Sequence, residues 1–133
     1  DCWKMNVTAV NAAMHAFALG ADSRKITIIS PKGSSGGSHV GDGKGGVNQR
    51  TLDSFEFTDV DFLKIDCEGY EPAVITGATE TIKRCHPVIV VEQAPNGRQG
   101  DYGYNQTAAV DMLQQLGGSV RTMLGKDAIV EFV

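Results

Sequence analysis

The sequence predicts an α/β fold with a mostly parallel sheet that ends in an antiparallel hairpin. Two short apolar runs, at residues 60–65 and 88–92, have the composition of buried strands. Helical patterns follow both runs, and strands that alternate with helices imply right-handed crossovers and parallel pairing. Gly125, Lys126 and Asp127 then offer a hairpin turn between two final strands.

Length and composition are those of one ordinary globular domain. The chain has 133 residues, of which 41% are hydrophobic and 21% charged, which is enough for a real core. The net charge of −4 argues against a nucleic-acid partner, because phosphate binding needs a basic face. No apolar run approaches the roughly 18 residues that cross a membrane, so no membrane partner is expected. The oligomeric state stays open.

The cysteines and the start of the chain indicate cellular context. Cys2, Cys67 and Cys85 are odd in number and far apart, which predicts reduced thiols and a cytoplasmic location. No signal-peptide pattern is visible at the start. Residues 1–11 have the pattern of the last turns of a helix. We therefore expect residues 1–133 to form a single α/β domain that is incomplete at its N-terminus.

The first half of the chain predicts two strands and a loop. The strands lie at residues 14–19 and 25–29, the second being rich in β-branched side chains. Residues 31–46 contain seven glycines and predict a flexible loop. Residues 41–46 match Gly-x-Gly-x-x-Gly, but we reject a dinucleotide site because no helix opens inside the motif. A mobile lid and a surface hairpin are the two alternatives for this loop.

The second half predicts alternating strands and helices. Gly77 interrupts the first helical pattern, and Pro72 fits a first helical position, where its missing N–H costs nothing. His86 and Pro87 end the second helix. The predicted strands are residues 60–65, 88–92, 120–124 and 128–133, and the predicted helices are residues 72–75, 79–84 and 107–116.

An acidic turn follows the strand at residues 60–65. Asp66, Glu68 and Glu71 lie around Gly69. Carboxylates at the C-terminal ends of strands in an open α/β sheet lie where such folds bind ligands. Three carboxylates in one turn repel each other unless a cation, a hydroxyl or backbone N–H groups lie between them. The turn therefore predicts a functional site, and the alternative is that these acids only cap the following helix.

Glu92 ends the strand at residues 88–92 and is expected at the same sheet edge as Asp66. Two acids at adjacent strand ends can hold a divalent cation or a substrate hydroxyl. A solvated strand end is the alternative for Glu92. His39, in the glycine-rich loop, is a weaker candidate for substrate contact.

Several segments resemble the FkbM family of S-adenosylmethionine-dependent methyltransferases. Lys-Ile-Asp-Cys-Glu-Gly-Tyr-Glu at residues 64–71 and Pro-Val-Ile-Val-Val-Glu at residues 87–92 carry the resemblance. Thr-Leu-Asp-Ser at residues 51–54 and Ala-Phe-Ala-Leu-Gly at residues 16–20 resemble two further family elements. The resemblance extends over nearly the whole chain.

The resemblance implies a Rossmann-like methyltransferase sheet that binds S-adenosylmethionine. Ala18 and Leu19 would lie near the adenine, and Asp66 would contact the cofactor and face the methyl-transfer centre. The family's glycine-rich cofactor loop and the acidic end of its second strand have no counterpart here. The chain therefore resembles the C-terminal portion of such a domain.

The resemblance also implies catalytic roles for the acidic residues. Asp66 would position the acceptor hydroxyl or remove its proton, and Glu68 is the second choice. Glu68 and Glu71 would line the substrate side, with Glu92 close by. The expected acceptor is a hydroxyl of a small molecule or sugar, and no metal ligand is assigned. The rivals are a metal-dependent O-methyltransferase, with a divalent cation on Asp66 and Glu92, and a truncated, non-catalytic binding module.

Overall fold

The computed structural model describes residues 11–33, 36–41, 43, 45–93 and 97–133. The strands of this part of the chain form two four-stranded sheets. The first sheet contains β1 (Ala18–Leu19), β2 (Arg24–Ile29), β3 (His39–Gly41) and β4 (Val47–Arg50). The second contains β5 (Phe62–Ile65), β6 (Val88–Glu92), β7 (Gly118–Leu124) and β8 (Asp127–Phe132). The helix expected at residues 1–11 lies outside the described residues, apart from Asn11.

The first sheet has the strand order β1-β4-β2-β3. β1 and β4 pair in parallel, whereas β2 pairs antiparallel with both β3 and β4. The strand predicted at residues 25–29 is confirmed, and the strand predicted at residues 14–19 is reduced to its end.

Two strands of the first sheet differ from the sequence expectation. β3 lies inside the predicted loop of residues 31–46 and pairs with β2, with Val40 opposite Ile28. The described part of this loop therefore includes one arm of a hairpin. β4 was not predicted, because Val-Asn-Gln-Arg has weak β-propensity. It pairs with a strand on each side and buries Gln49, so tertiary pairing overrides the local preference.

The second sheet has the order β5-β6-β8-β7. β5 and β6 are parallel as predicted, but β8 is antiparallel to both β6 and β7. The mostly parallel sheet that the sequence predicts is therefore not confirmed, since both sheets are mixed. The tight turn between β7 and β8 imposes antiparallel pairing, and β8 then inserts beside β6.

Three α-helices connect these strands: α1 (Glu71–Thr76), α2 (Thr79–Cys85) and α3 (Ala108–Gln115). Pro72 lies one position later than expected, because α1 begins at Glu71. Gly77 separates α1 from α2, as predicted. Among the described residues, no helix has both the length and the apolar character that crossing a membrane requires.

The hydrophobic core lies between the second sheet and the three helices. Ile75 and Ile82 enter it from α1 and α2, Leu113 from α3, and Ile89 and Val130 from the sheet. All five are 0% exposed. Full burial of such a side chain contributes about 1.5–3 kcal/mol, so this packing fixes the strands on which the candidate site stands.

Backbone contacts join the first sheet to the helices. A Cβ on Gly77 would collide with the carbonyl oxygen of Gly20, so these two backbone segments approach each other closely. Asp53, in a short 3-10 helix, donates its N–H to the Gly77 carbonyl at 2.9 Å. Its carboxylate accepts from the N–H groups of Glu80 and Thr81 at 3.1 and 2.7 Å. Asp53 thus caps α2 from a distant part of the sequence.

Candidate active site

The carboxylates of the predicted site meet at the ends of β5 and β6. Ile65 pairs with Val91, so the next residues, Asp66 and Glu92, leave neighbouring strands at the same edge. Oxygen atoms of Asp66, Glu68 and Glu92 lie within 4.8 Å of one another. We call these three residues the carboxylate cluster. The structure therefore confirms the predicted proximity of Asp66 and Glu92.

The turn that carries Asp66 and Glu68 has an unusual backbone. Glu68 has φ = 53° and Gly69 has φ = 96°, and a left-handed residue other than glycine is uncommon. A Cβ on Gly69 would lie 2.6 Å from the carbonyl carbon of Arg98, so the turn presses against that segment. Left-handed residues of this kind concentrate at functional sites, where the surrounding structure holds them in place.

Glu71 differs from the other acids because it points inward. It is 0% exposed, and its Oε1 accepts from the N–H groups of Cys67 and Gly69 at 2.8 and 3.1 Å. Burial raises the pKa of the Glu71 carboxyl. Because Cys67 and Gly69 precede α1, these contacts hold the turn and do not cap the helix. Its predicted place on the substrate side stays a prediction.

Two lysine side chains form ion pairs with members of the carboxylate cluster. Lys126 forms an ion pair with Glu92, which is only 3% exposed. Lys64 lies 3.4 Å from Asp66 and 3.0 Å from Asp127. The Glu68 carboxylate has no hydrogen-bond or ion-pair partner among the described residues. Asp66 and Glu68 therefore remain accessible to a ligand, whereas Glu92 is a buried and paired charge.

Cys67, between two cluster members, does not add a nucleophile. Burial raises the pKa of its thiol to about 11, so the thiol stays protonated at neutral pH. Cys67 and Cys85 are free cysteines.

Ala18 and Leu19, which were predicted to lie near the adenine, line a cavity of about 250 Å³. Cys67 and Tyr70, from the acidic turn, form another part of its wall. His39 also lines this cavity, and its contact with a substrate stays a prediction. Asp66 does not line this cavity, although its chain neighbour Cys67 does, and its contact with the cofactor stays a prediction.

A second cavity, of about 420 Å³, was not found from the sequence. It lies beside the same turn and is bounded by Arg24, Tyr70, Asp101 and Tyr102. The Tyr70 hydroxyl accepts from Arg24 Nη2 at 3.1 Å and donates to Gln49 Oε1 at 3.0 Å. No local motif marks this network, because its members come from distant segments.

The fold is α/β, and the carboxylate cluster lies at the ends of two parallel strands, which is the edge where open α/β folds commonly bind ligands. The family profile described as Methyltransferase FkbM domain matches residues 5–121. The chain therefore belongs to the FkbM methyltransferase family, which confirms the resemblance drawn from residues 64–71 and 87–92.

A solved structure supports the same fold. The crystal structure of Methyltransferase FkbM from Methylobacillus flagellatus KT is similar to this chain, with a TM-score of 0.52 at 16% identity. The similarity covers 99% of this chain and 31% of that chain, so this chain spans less than two thirds of that protein's length. No curated protein matches the sequence.

Proposed function

We propose that this chain provides the acceptor side of an S-adenosylmethionine-dependent O-methyltransferase of the FkbM type. The observation that carries the proposal is the carboxylate cluster at the ends of β5 and β6, within a chain of this family. The proposed acceptor is a hydroxyl of a small molecule or sugar. A nearby carboxylate can orient such a hydroxyl and accept its proton.

Asp66 is the proposed base or positioning residue, and Glu68 is the second. Both are open to a ligand, whereas Glu92 is buried against Lys126. The Asp66 side chain is 49% exposed, and its carboxylate lies 3.4 Å from the Lys64 ammonium. A charged carboxylate at this edge can accept a hydrogen bond from the acceptor hydroxyl and then its proton.

The cavity bounded by Ala18, Leu19 and Tyr70 fits part of the proposed cofactor. Its walls are largely apolar, which suits a planar heterocycle such as adenine. When bound, S-adenosylmethionine supplies an electrophilic methyl group on sulfur. The residues of this chain would hold the adenine side, exclude water and orient the acceptor.

The proposal is tested by replacing Asp66 in a transfer assay. Label transfer from S-adenosylmethionine to a panel of hydroxyl compounds is measured for the wild type, for Asp66→Asn and for Asp61→Asn. Asp66→Asn should lower the rate by about 100-fold or more, as loss of a general base does. Asp61 is exposed and lies before β5, outside the cluster, so Asp61→Asn should retain the rate. Unchanged turnover in Asp66→Asn would remove Asp66 from the mechanism.

A metal-dependent O-methyltransferase is the second candidate, favoured by three carboxylate oxygens within 4.8 Å. Oxygen ligands of this kind suit Mg²⁺ or Ca²⁺. Transfer would then stop after thorough chelation and return on addition of the metal. Transfer that survives chelation counts against this candidate.

A non-catalytic α/β binding module is the third candidate function. It is separated from both enzymes by calorimetry with S-adenosylmethionine on this chain. A clear heat of binding at micromolar affinity contradicts the non-catalytic candidate, and the absence of heat supports it.

A further inference from the structure

Lys126 lies at the tip of the β7–β8 hairpin and extends its ammonium group onto Glu92. Its position is fixed by the backbone on both sides. The Lys126 carbonyl accepts from the Gln93 N–H at 2.7 Å, and Asp127 pairs in register with Glu92. The hairpin therefore holds Lys126 directly over the end of β6.

The charges around Glu92 require a cation at this place. Glu92 is 3% exposed, and a buried carboxylate is costly unless it is paired. The cluster's other two carboxylates, Asp66 and Glu68, add negative charge at close range. A second ammonium, that of Lys64, is shared between Asp66 and Asp127. Within the part of the chain that the structure describes, Lys126 is thus the cation paired with Glu92.

We propose that Lys126 is a positioning residue that acts as the tethered cation of the carboxylate cluster, in the place that a divalent ion would otherwise take. An ammonium held on Glu92 fixes the orientation of that carboxylate. It also repels Mg²⁺ or Mn²⁺ from the same oxygens, since two cations would have to share them. This inference does not depend on methyl transfer, and it holds whichever ligand the cluster binds.

The test is a calorimetric titration with Mn²⁺ alone. It is carried out on the wild type, Lys126→Met and Lys126→Arg. The wild type should bind Mn²⁺ with a Kd of about 1 mM or weaker. Lys126→Met should bind Mn²⁺ at least about tenfold more tightly, because affinity follows the net charge of the ligand set. Lys126→Arg restores a tethered cation and should match the wild type. Adding Glu92→Gln to Lys126→Met should abolish the gain.

Two results of this titration would overturn the inference. One is a wild type that binds Mn²⁺ as tightly as Lys126→Met. The other is a folded Lys126→Met that gains no affinity. A purely structural role for Lys126 would leave Mn²⁺ affinity unchanged in every variant that folds.

A measurement on the intact lysine keeps the inference testable if Lys126→Met does not fold. The ammonium ¹H–¹⁵N signal of Lys126 is recorded at low temperature, where an ion pair protects it from exchange with water. Glu92→Gln should abolish that protection. Glu131→Gln breaks a separate ion pair, with Arg121, and should leave the Lys126 signal unchanged. Equal protection of Lys126 in the wild type and in Glu92→Gln would refute the pairing.

Discussion

The two sheets of this protein are stabilised by different kinds of interaction. The second sheet and its helices supply the buried hydrophobic cluster, whose members lie between residues 65 and 130. The first sheet buries Ile26, but Ile28 and Ile29 are 38% and 43% exposed. Apolar packing therefore holds the half that carries the carboxylate cluster. The half that carries Ala18 and Leu19 needs other contacts.

Those contacts are mostly polar. Gln49, in the centre of the first sheet, is 2% exposed, and its Nε2 donates to Asp22 Oδ1 at 2.9 Å. Its Oε1 accepts from the Tyr70 hydroxyl, which in turn accepts from Arg24. Tyr70 belongs to the acidic turn, so this chain of hydrogen bonds joins the first sheet to the site. Buried polar networks of this kind specify one geometry when every member is satisfied.

The largest expected effect comes from the apolar half. Leu113→Ala should lower the free energy of unfolding by about 3 kcal/mol, since it opens a cavity in a fully buried position. Ile29→Ala, in the first sheet, should cost about 1 kcal/mol or less because this side chain is partly exposed. Urea unfolding of the two variants measures the difference. Equal losses would show that the two sheets are packed alike.

A smaller effect is expected at the polar connection. Tyr70→Phe removes the hydroxyl that accepts a hydrogen bond from Arg24 and donates one to Gln49. The buried Gln49 Oε1 then has no donor. The expected loss is about 1–3 kcal/mol. The Tyr104 hydroxyl has no hydrogen bond among the described residues, so Tyr104→Phe is the matched control. Unfolding by urea gives both values, and a Tyr70→Phe variant as stable as Tyr104→Phe contradicts the network's role.

The cap on α2 tests the backbone connection. Asp53→Ala removes the carboxylate that accepts from Glu80 and Thr81, which should cost about 1 kcal/mol. Asp59 is exposed and provides the control variant Asp59→Ala. Thermal unfolding compares the two. If both variants unfold at the wild-type temperature, Asp53 does not stabilise the helix.

The smallest expected effect is a pH dependence at Glu71. Because burial raises its folded pKa, the folded state holds the proton more tightly than the unfolded state. The stability that Glu71 contributes is therefore lost as pH rises from the ordinary carboxyl pKa through the raised pKa. Glu71→Gln should remove this slope, so its stability relative to the wild type should increase over that pH range.

Urea unfolding at several pH values measures the difference between the wild type and Glu71→Gln. Glu80→Gln, on an exposed side chain, is the control and should keep the wild-type slope. Parallel curves for the wild type and Glu71→Gln would mean that the Glu71 carboxyl titrates alike in the folded and unfolded chain.

The sequence by itself determined the elements whose signals are local. The β-branched runs of β2 and β6, the break at Gly77 and the apolar face of α3 follow from patterns within a few residues. The acids at the ends of β5 and β6 could also be placed together, because parallel strands end at the same edge. The family followed from the same residues.

Only the tertiary structure decided which distant segments meet. It put β8 between β6 and β7, and it formed β4 from a sequence with weak β-propensity. It turned Glu71 inward and brought Lys126 onto Glu92. These outcomes depend on pairing and charge compensation between residues far apart in the chain, which no local pattern records. The sequence could therefore locate the carboxylate cluster, but its charge balance depends on the folded hairpin.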